Sequence, residues 1–213
     1  MSLQLSINHL ILLLFLLFYG FPATFAQTGN RIFLEIKYPI PAGTNFLSKA
    51  YDNGYTGFFN TSIGYGRTLG DQFGAGGAFS SMYLRLLETN MNALVMCPTV
   101  QGFYYFPVEN ERNKVTQMIE VGYSFWSFFS NDLKFPSDST IITDPEGHYR
   151  ENRHSFVLGS STKVSYIISD RVSLDFIIQI NFHRLNAIKT EERSGYNQNV
   201  AILFPGLGIS VDL

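Results

Sequence analysis

The chain has 213 residues, a formal net charge of −2, and only 15% Asp, Glu, Lys and Arg against 15% aromatic residues. Soluble domains carry about 25% charged residues, so this composition suits an apolar solvent, and the lack of a basic field speaks against nucleic acid as a partner. The single cysteine, Cys97, excludes an intramolecular disulfide and a cysteine-based metal cluster.

Residues 1–26 read as a cleavable signal peptide. The apolar run HLILLLFLLFY (9–19) is shorter than a membrane-spanning helix, Gly20 and Pro22 break it, and the small residues Thr24 and Ala26 suit cleavage before Gln27. No Lys or Arg precedes the run, which departs from the usual basic start. Residues 27–213 then form one domain, long enough to fold without disulfide staples.

Beyond the leader, helical periodicity gives way to period two, the spacing of strands with two different faces. Residues 32–38 set Ile32, Leu34, Ile36 and Tyr38 against Glu35 and Lys37, and Pro39 and Pro41 are expected to end the strand. Residues 58–69 place Phe59, Thr61, Ile63 and Tyr65 opposite Asn60, Ser62, Gly64 and Gly66. The Gly70-Asp71 turn then joins them to 73–86 as a hairpin.

Residues 94–106 alternate around Pro98, which blurs the register, and 115–126 set Val115, Gln117, Ile119, Val121, Tyr123 and Phe125 against Thr116, Met118, Glu120, Gly122 and Ser124. Residues 127–153 read as a long irregular loop. Residues 155–168 form a strand that turns at Ser169-Asp170 into 171–184 (RVSLDFIIQINFHR), where Val172, Leu174, Phe176, Ile178, Ile180 and Phe182 alternate with polar side chains and Ile177 is the exception. The rise from Val172 to Phe182 covers about 23 Å at a tilt near 45°, the height of an outer-membrane apolar band. Residues 198–213 supply the last of about eight strands.

Connections at 41–53, 87–93, 127–153 and 186–196 are the longer set, and those at 70–71, 107–114 and 169–170 the shorter one. A sequential antiparallel barrel puts alternate connections at one end, so one rim bears short turns and the other long loops, as in outer-membrane barrels. The expected fold is therefore an all-β, eight-stranded antiparallel transmembrane barrel, an up-and-down meander, with both termini in the periplasm.

A soluble lipocalin-like carrier shares the strand number but buries its apolar face. Here the polar face is made of Gly64, Gly66, Gly74, Gly76, Ser80, Gly122, Ser124, Gly159, Ser161, Ser165, Gly206 and Gly208, small residues that suit a narrow, filled lumen. Val172, Leu174, Phe176, Ile178, Ile180 and Phe182 are assigned to lipid. Tyr38, Tyr65, Tyr83, Tyr104, Tyr123, Trp126 and Tyr166 are assigned to aromatic girdles. Glu35, Lys37, Glu120, Lys163, Asp175 and His183 fall on the lumen face, where opposite charges should pair as a polar network.

Gly64-Tyr65-Gly66-Arg67 before a tight turn, the stretch PTVQGFYYF (98–106) and the stretch VSYIISDRV (164–172) resemble hairpin features of the small eight-stranded outer-membrane β-barrel proteins of Bacteroidetes, related in shape to the OmpA and OmpX barrels. That resemblance implies an integral barrel in the cell outer membrane, porin-like in family, contacting lipid and lipopolysaccharide and inserted by the barrel-assembly machinery. Its role would be structural or interactive: envelope integrity, adhesion, or an extracellular or envelope protein partner held by the loops. Such barrels commonly end in an aromatic residue, whereas this chain ends in Leu213.

Catalysis finds little support. His154-Ser155 and His183 are the nearest base and nucleophile candidates for a lipid-modifying hydrolase or acyltransferase, yet they form no recognisable triad. Asp138, Asp144, Glu146 and His148 match no metal motif, so no cofactor and no metal is expected. Asp138-Ser139-Thr140 is similar to a short O-glycosylation sequon.

Overall fold

A computed structural model describes residues 29–42, 55–86, 91–107, 112–134, 148–185 and 199–213. Residues 1–26, expected above to be a signal peptide, and the loop positions Asp138, Ser139, Thr140, Asp144 and Glu146 lie outside the described residues.

Among the described residues nine strands are formed: β1 (Asn30–Lys37), β2 (Ile40–Ala42), β3 (Tyr55–Thr68), β4 (Phe73–Leu86), β5 (Met91–Phe106), β6 (Asn113–Lys134), β7 (His148–Ile167), β8 (Val172–Leu185) and β9 (Asn199–Asp212). Each pairs antiparallel with its sequence neighbour from β3 onward, and β1 pairs with both β3 and β9, so the sheet closes on itself. β1 and β2 meet β9 in one unbroken register, Lys37 facing Gly206 and Ile40 facing Leu203. They are two parts of a single stave, and the wall is an eight-staved up-and-down barrel.

Pro39 closes β1 at Lys37, as its missing donor predicts, yet the stave resumes beyond it in β2, and Pro41 lies inside that strand. The Tyr38 amide donates to the Pro205 carbonyl across the β9 seam, so the missing donor of Pro39 points the other way, toward β3. There β3 bulges between Gly57 and Phe59, and Gly57 is close enough to Pro39 that a side chain at 57 would strike its carbonyl. Pro98 likewise leaves the register intact, facing Phe79 of β4 without a slip on either side.

The segment 127–153 is also corrected. β6 runs on to Lys134 and β7 begins at His148, so much of the expected loop is a hairpin, and Phe128 pairs with Glu151. Period two is hard to see there because Phe125, Trp126, Phe128 and Phe129 occupy both parities.

The two faces differ most sharply in the half of the barrel nearest the short connections. Ile36, Ile63, Phe79, Ile119, Phe125, Phe156, Ile178, Leu207 and Ile209 point outward with 47–64% of their surface exposed, while Glu35, Lys37, Ser62, Glu120, Ser165, Asp175 and Asn181 are buried within. A contiguous apolar belt of this extent is far beyond the patches a soluble monomer leaves to water. Several tyrosines crown the belt: the Tyr65 hydroxyl donates to Asn30 at 2.7 Å, Tyr83 to Asn92 at 2.6 Å and Tyr104 to Gln72 at 3.4 Å. Trp126 is not among them. It shares parity with Ser124 and Glu120 and lies inside the lumen, 1% exposed.

Candidate functional site: the filled lumen

The interior is built in layers, counted from the end where β3–β4, β5–β6 and β7–β8 are joined by their short connections. At that mouth the closing pair β1–β9 brings Arg31 opposite Asp212. Their fork is bidentate, Nε to Oδ1 at 2.6 Å and Nη2 to Oδ2 at 3.2 Å, and Lys114 stands 3.5 Å from the same carboxylate. Above it Phe33, Phe103 and Met118 pack together. The ring of Phe33 occupies the space that a side chain at Gly64 would need, and Phe103 lies against Gly66, Gly74 and Gly76. The small residues of β3 and β4 thus make room for these aromatics.

The next layer is a continuous polar network. Glu35 accepts from Lys37 at 2.8 Å, from Ser62 at 2.9 Å and from Lys163 at 2.6 Å. Lys163 reaches Asp175 at 3.5 Å and sits 4.5 Å from the centre of the Phe33 ring, and Asp175 also accepts from Ser210. Lys37 donates onward to Gln179 at 2.7 Å. Gln179 and Asn181 donate to one oxygen of Glu120 at 2.5 and 2.8 Å, and Gln101 donates to the other at 3.0 Å. Gly159, Gly206 and Gly208 lie against Glu120, Lys37 and Glu35.

Five of the six residues expected in the lumen therefore sit in one network. Taking a carboxylate out of water costs several kcal/mol unless it is paired and hydrogen-bonded. Glu35 meets that demand with two ammonium groups, and Glu120 with three amides.

His183 stands apart, one layer higher. Its Nδ1 lies 3.1 Å from Ser124 Oγ, which also accepts from Trp126 Nε1 at 2.8 Å, and its ring meets Trp126 edge-on at 5.2 Å. Beyond it the lumen is apolar: Met82, Leu84, Ala93, Val95, Trp126, Phe128, Leu185, Val200, Ile202 and Phe204 form one buried cluster. Toward the top Tyr149 donates to Glu151 at 2.5 Å, Glu151 accepts from Arg153 at 2.8 Å, and the Arg153 guanidinium lies 5.7 Å from the Phe128 ring centre.

Val172, Leu174, Phe176, Ile178, Ile180 and Phe182 all point outward, and Ile177, the exception in that run, is buried in the lumen. The candidate catalytic residues are not brought together. His154 faces outward and stacks on Tyr123 at 6.0 Å, while Ser155 faces inward and donates to the Phe156 carbonyl at 2.8 Å. Among the described residues no group of three or more His, Cys, Asp or Glu could hold a metal ion.

Sequence reasoning missed the Arg31–Asp212 fork, the Tyr149–Glu151–Arg153 set and the amides Gln101, Gln179 and Asn181 as partners of Glu120. Parity held the signal for the amides, which share the lumen face with Asp175 and Glu120. The fork needed the closing register of β1 on β9, which no local pattern encodes.

Fold and lumen together define a closed up-and-down β-barrel with side chains packed into its interior and an apolar outer wall. No protein-family model matches the chain, and none of the curated proteins searched matches it. Solved structures do. Neisserial surface protein A superposes with a TM-score of 0.59 at 14% identity, covering 88% of this chain and 100% of its own. A major outer membrane protein from Thermus thermophilus superposes with a TM-score of 0.54 at 12% identity, again over 88% of this chain and 100% of its own. The likeness is one of fold.

Proposed function

We propose that the chain is an integral outer-membrane β-barrel with a structural or interaction role, its lumen a plug rather than a passage and its longer connections the part offered to adhesion or to a protein partner. The belt of outward apolar side chains, crowned by hydrogen-bonded tyrosines, around a charged interior carries this reading: it is the inverse of a carrier that encloses an apolar ligand. Eight staves leave room for packed side chains only, which fits a plug. In this reading both termini lie in the periplasm with the short connections, the barrel-assembly machinery inserts the chain, and lipid with lipopolysaccharide surrounds it. A place among the Bacteroidetes barrels rests on the hairpin stretches at 64–67, 98–106 and 164–172.

A lipid-modifying activity would need nucleophile and base on a surface that lipid reaches, whereas Ser155 and His154 occupy opposite faces and the Ser124–His183 pair is buried. Cell fractionation with a heat-shift gel tests the main reading. The protein is expected in the outer-membrane fraction, released only by detergent, with a mobility that changes on boiling; recovery in the soluble periplasm would overturn it.

A further inference from the structure

Asp175 is the least supplied of the three carboxylates in the polar network. Glu35 and Glu120 each accept three short bonds. Asp175, with 0% of its surface exposed, has the Ser210 hydroxyl and the Lys163 ammonium. Both fall on Oδ2, and the ammonium stands 3.5 Å away, where an ordinary charged bond measures about 2.8 Å. Oδ1 has no partner among the described residues.

Two hydroxyls share that corner of the lumen. Ser165 is the direct cross-strand partner of Asp175, and Thr116 stands opposite Lys163, the next lumen-facing residue along β7. They are 0% and 2% exposed, and neither hydroxyl oxygen has a hydrogen-bond partner among the described residues. Ser165 also faces Lys114, which reaches the Arg31–Asp212 fork, so the corner lies just inside that mouth. Three orphaned polar atoms thus occupy neighbouring positions on three consecutive staves, and leaving them dry costs free energy at each.

Their chemistry selects the ligand. Asp175 Oδ1 can only accept, while the two hydroxyls both donate and accept. A metal ion would find three oxygens here, but four cations, Arg31, Lys37, Lys114 and Lys163, already face three carboxylates, Glu35, Asp175 and Asp212. A further cation would add to that excess, and an anion is repelled by Asp175 itself. A water molecule donates to Oδ1, accepts from one hydroxyl and donates to the other, which is the usual complement of about three bonds for a buried water.

We propose that the Asp175–Ser165–Thr116 corner is a binding site for one internal water, which completes the Asp175 carboxylate and ties both hydroxyls into the polar network. The lower lumen is then a plug of side chains and bound solvent together.

The test has two arms, both on the full chain refolded in detergent. In a double-mutant cycle, Thr116→Val and Ser165→Ala are each expected to lower the midpoint of urea unfolding. Their losses should be less than additive, because both act on the same bound molecule. A gain in stability from either substitution would mean that the hydroxyls are buried dry, and fully additive losses would mean that they share no ligand; either result overturns the proposal. The second arm needs no variant. A high-resolution crystal structure of the wild type is expected to place a water within hydrogen-bonding reach of Asp175 Oδ1. A side chain packed into the corner, or a metal ion held at about 2.4 Å by the same oxygens, would overturn it.

Discussion

The lower and upper halves of the lumen occupy the same wall and are filled by opposite means. Near the short connections, Glu35, Lys37, Lys163 and Asp175 are linked through charged hydrogen bonds, and each is at most 5% exposed. Toward the other end Leu84, Val95, Trp126, Phe128, Leu185 and Ile202 meet as an apolar core, with the buried Glu151–Arg153 ion pair set against Phe128. The lower half is specified by polar geometry, which tolerates no missing partner, and the upper half by volume, which tolerates partial collapse. Single truncations should separate the two.

The largest effect is expected from Glu35→Ala, which leaves Lys37 and Lys163 buried without their shared carboxylate and should cost about 4 kcal/mol. Urea unfolding of the refolded barrel, or the temperature at which the folded gel band is lost, reads this. Removing the whole set in E35L/K37M/K163M/D175L is expected to end within about 2 kcal/mol of the wild type, because no orphaned charge remains. If the quadruple variant is worse than Glu35→Ala, the lower half is held by attraction between its charges and the contrast between the halves fails.

Trp126→Ala probes the other half. It deletes the stack on Phe128, 5.8 Å between ring centres, and the indole donor to Ser124. The expected loss is about 3 kcal/mol, with Trp126→Phe restoring much of it. Full recovery would mean that the indole N–H contributes nothing to the boundary at Ser124 and His183.

How much of this could be read from the sequence follows the same division. In the lower half one parity is polar and the other apolar, so Glu35, Glu120, Lys163 and Asp175 declare their face, and Gly64, Gly159 and Gly206 mark where large side chains cross the lumen. In the upper half of β4 and β6 both parities are apolar. Met82-Tyr83-Leu84 and Phe125-Trp126 give no alternation to read, which is why Trp126 was expected at the membrane rim and why β6 was ended too soon. Proline misled for a different reason. Pro39 and Pro98 remove a donor, and whether that matters depends on the neighbouring strand, here a bulge at Gly57–Phe59 for Pro39.

Glu120 offers the finest test, since it is the one network carboxylate supported by amides in place of ammonium groups. Glu120→Gln turns one acceptor oxygen into an amide donor. On the side facing Gln179 and Asn181 the remaining carbonyl can go on accepting. On the other side the new NH2 meets the Gln101 amide, whose Oε1 has no partner among the described residues. A flip of that amide presents Oε1 to the new donor and restores the bond, so the expected cost is about 1 kcal/mol or less. Glu120→Ala leaves the Gln101 and Asn181 amides without their acceptor, while Gln179 keeps its bond to Asn181, and should cost at least about 2 kcal/mol more. Equal losses for the two variants would mean that the negative charge itself, and not its hydrogen bonds, joins the polar half of the lumen at this point, which would make Glu120 a counterpart of Glu35.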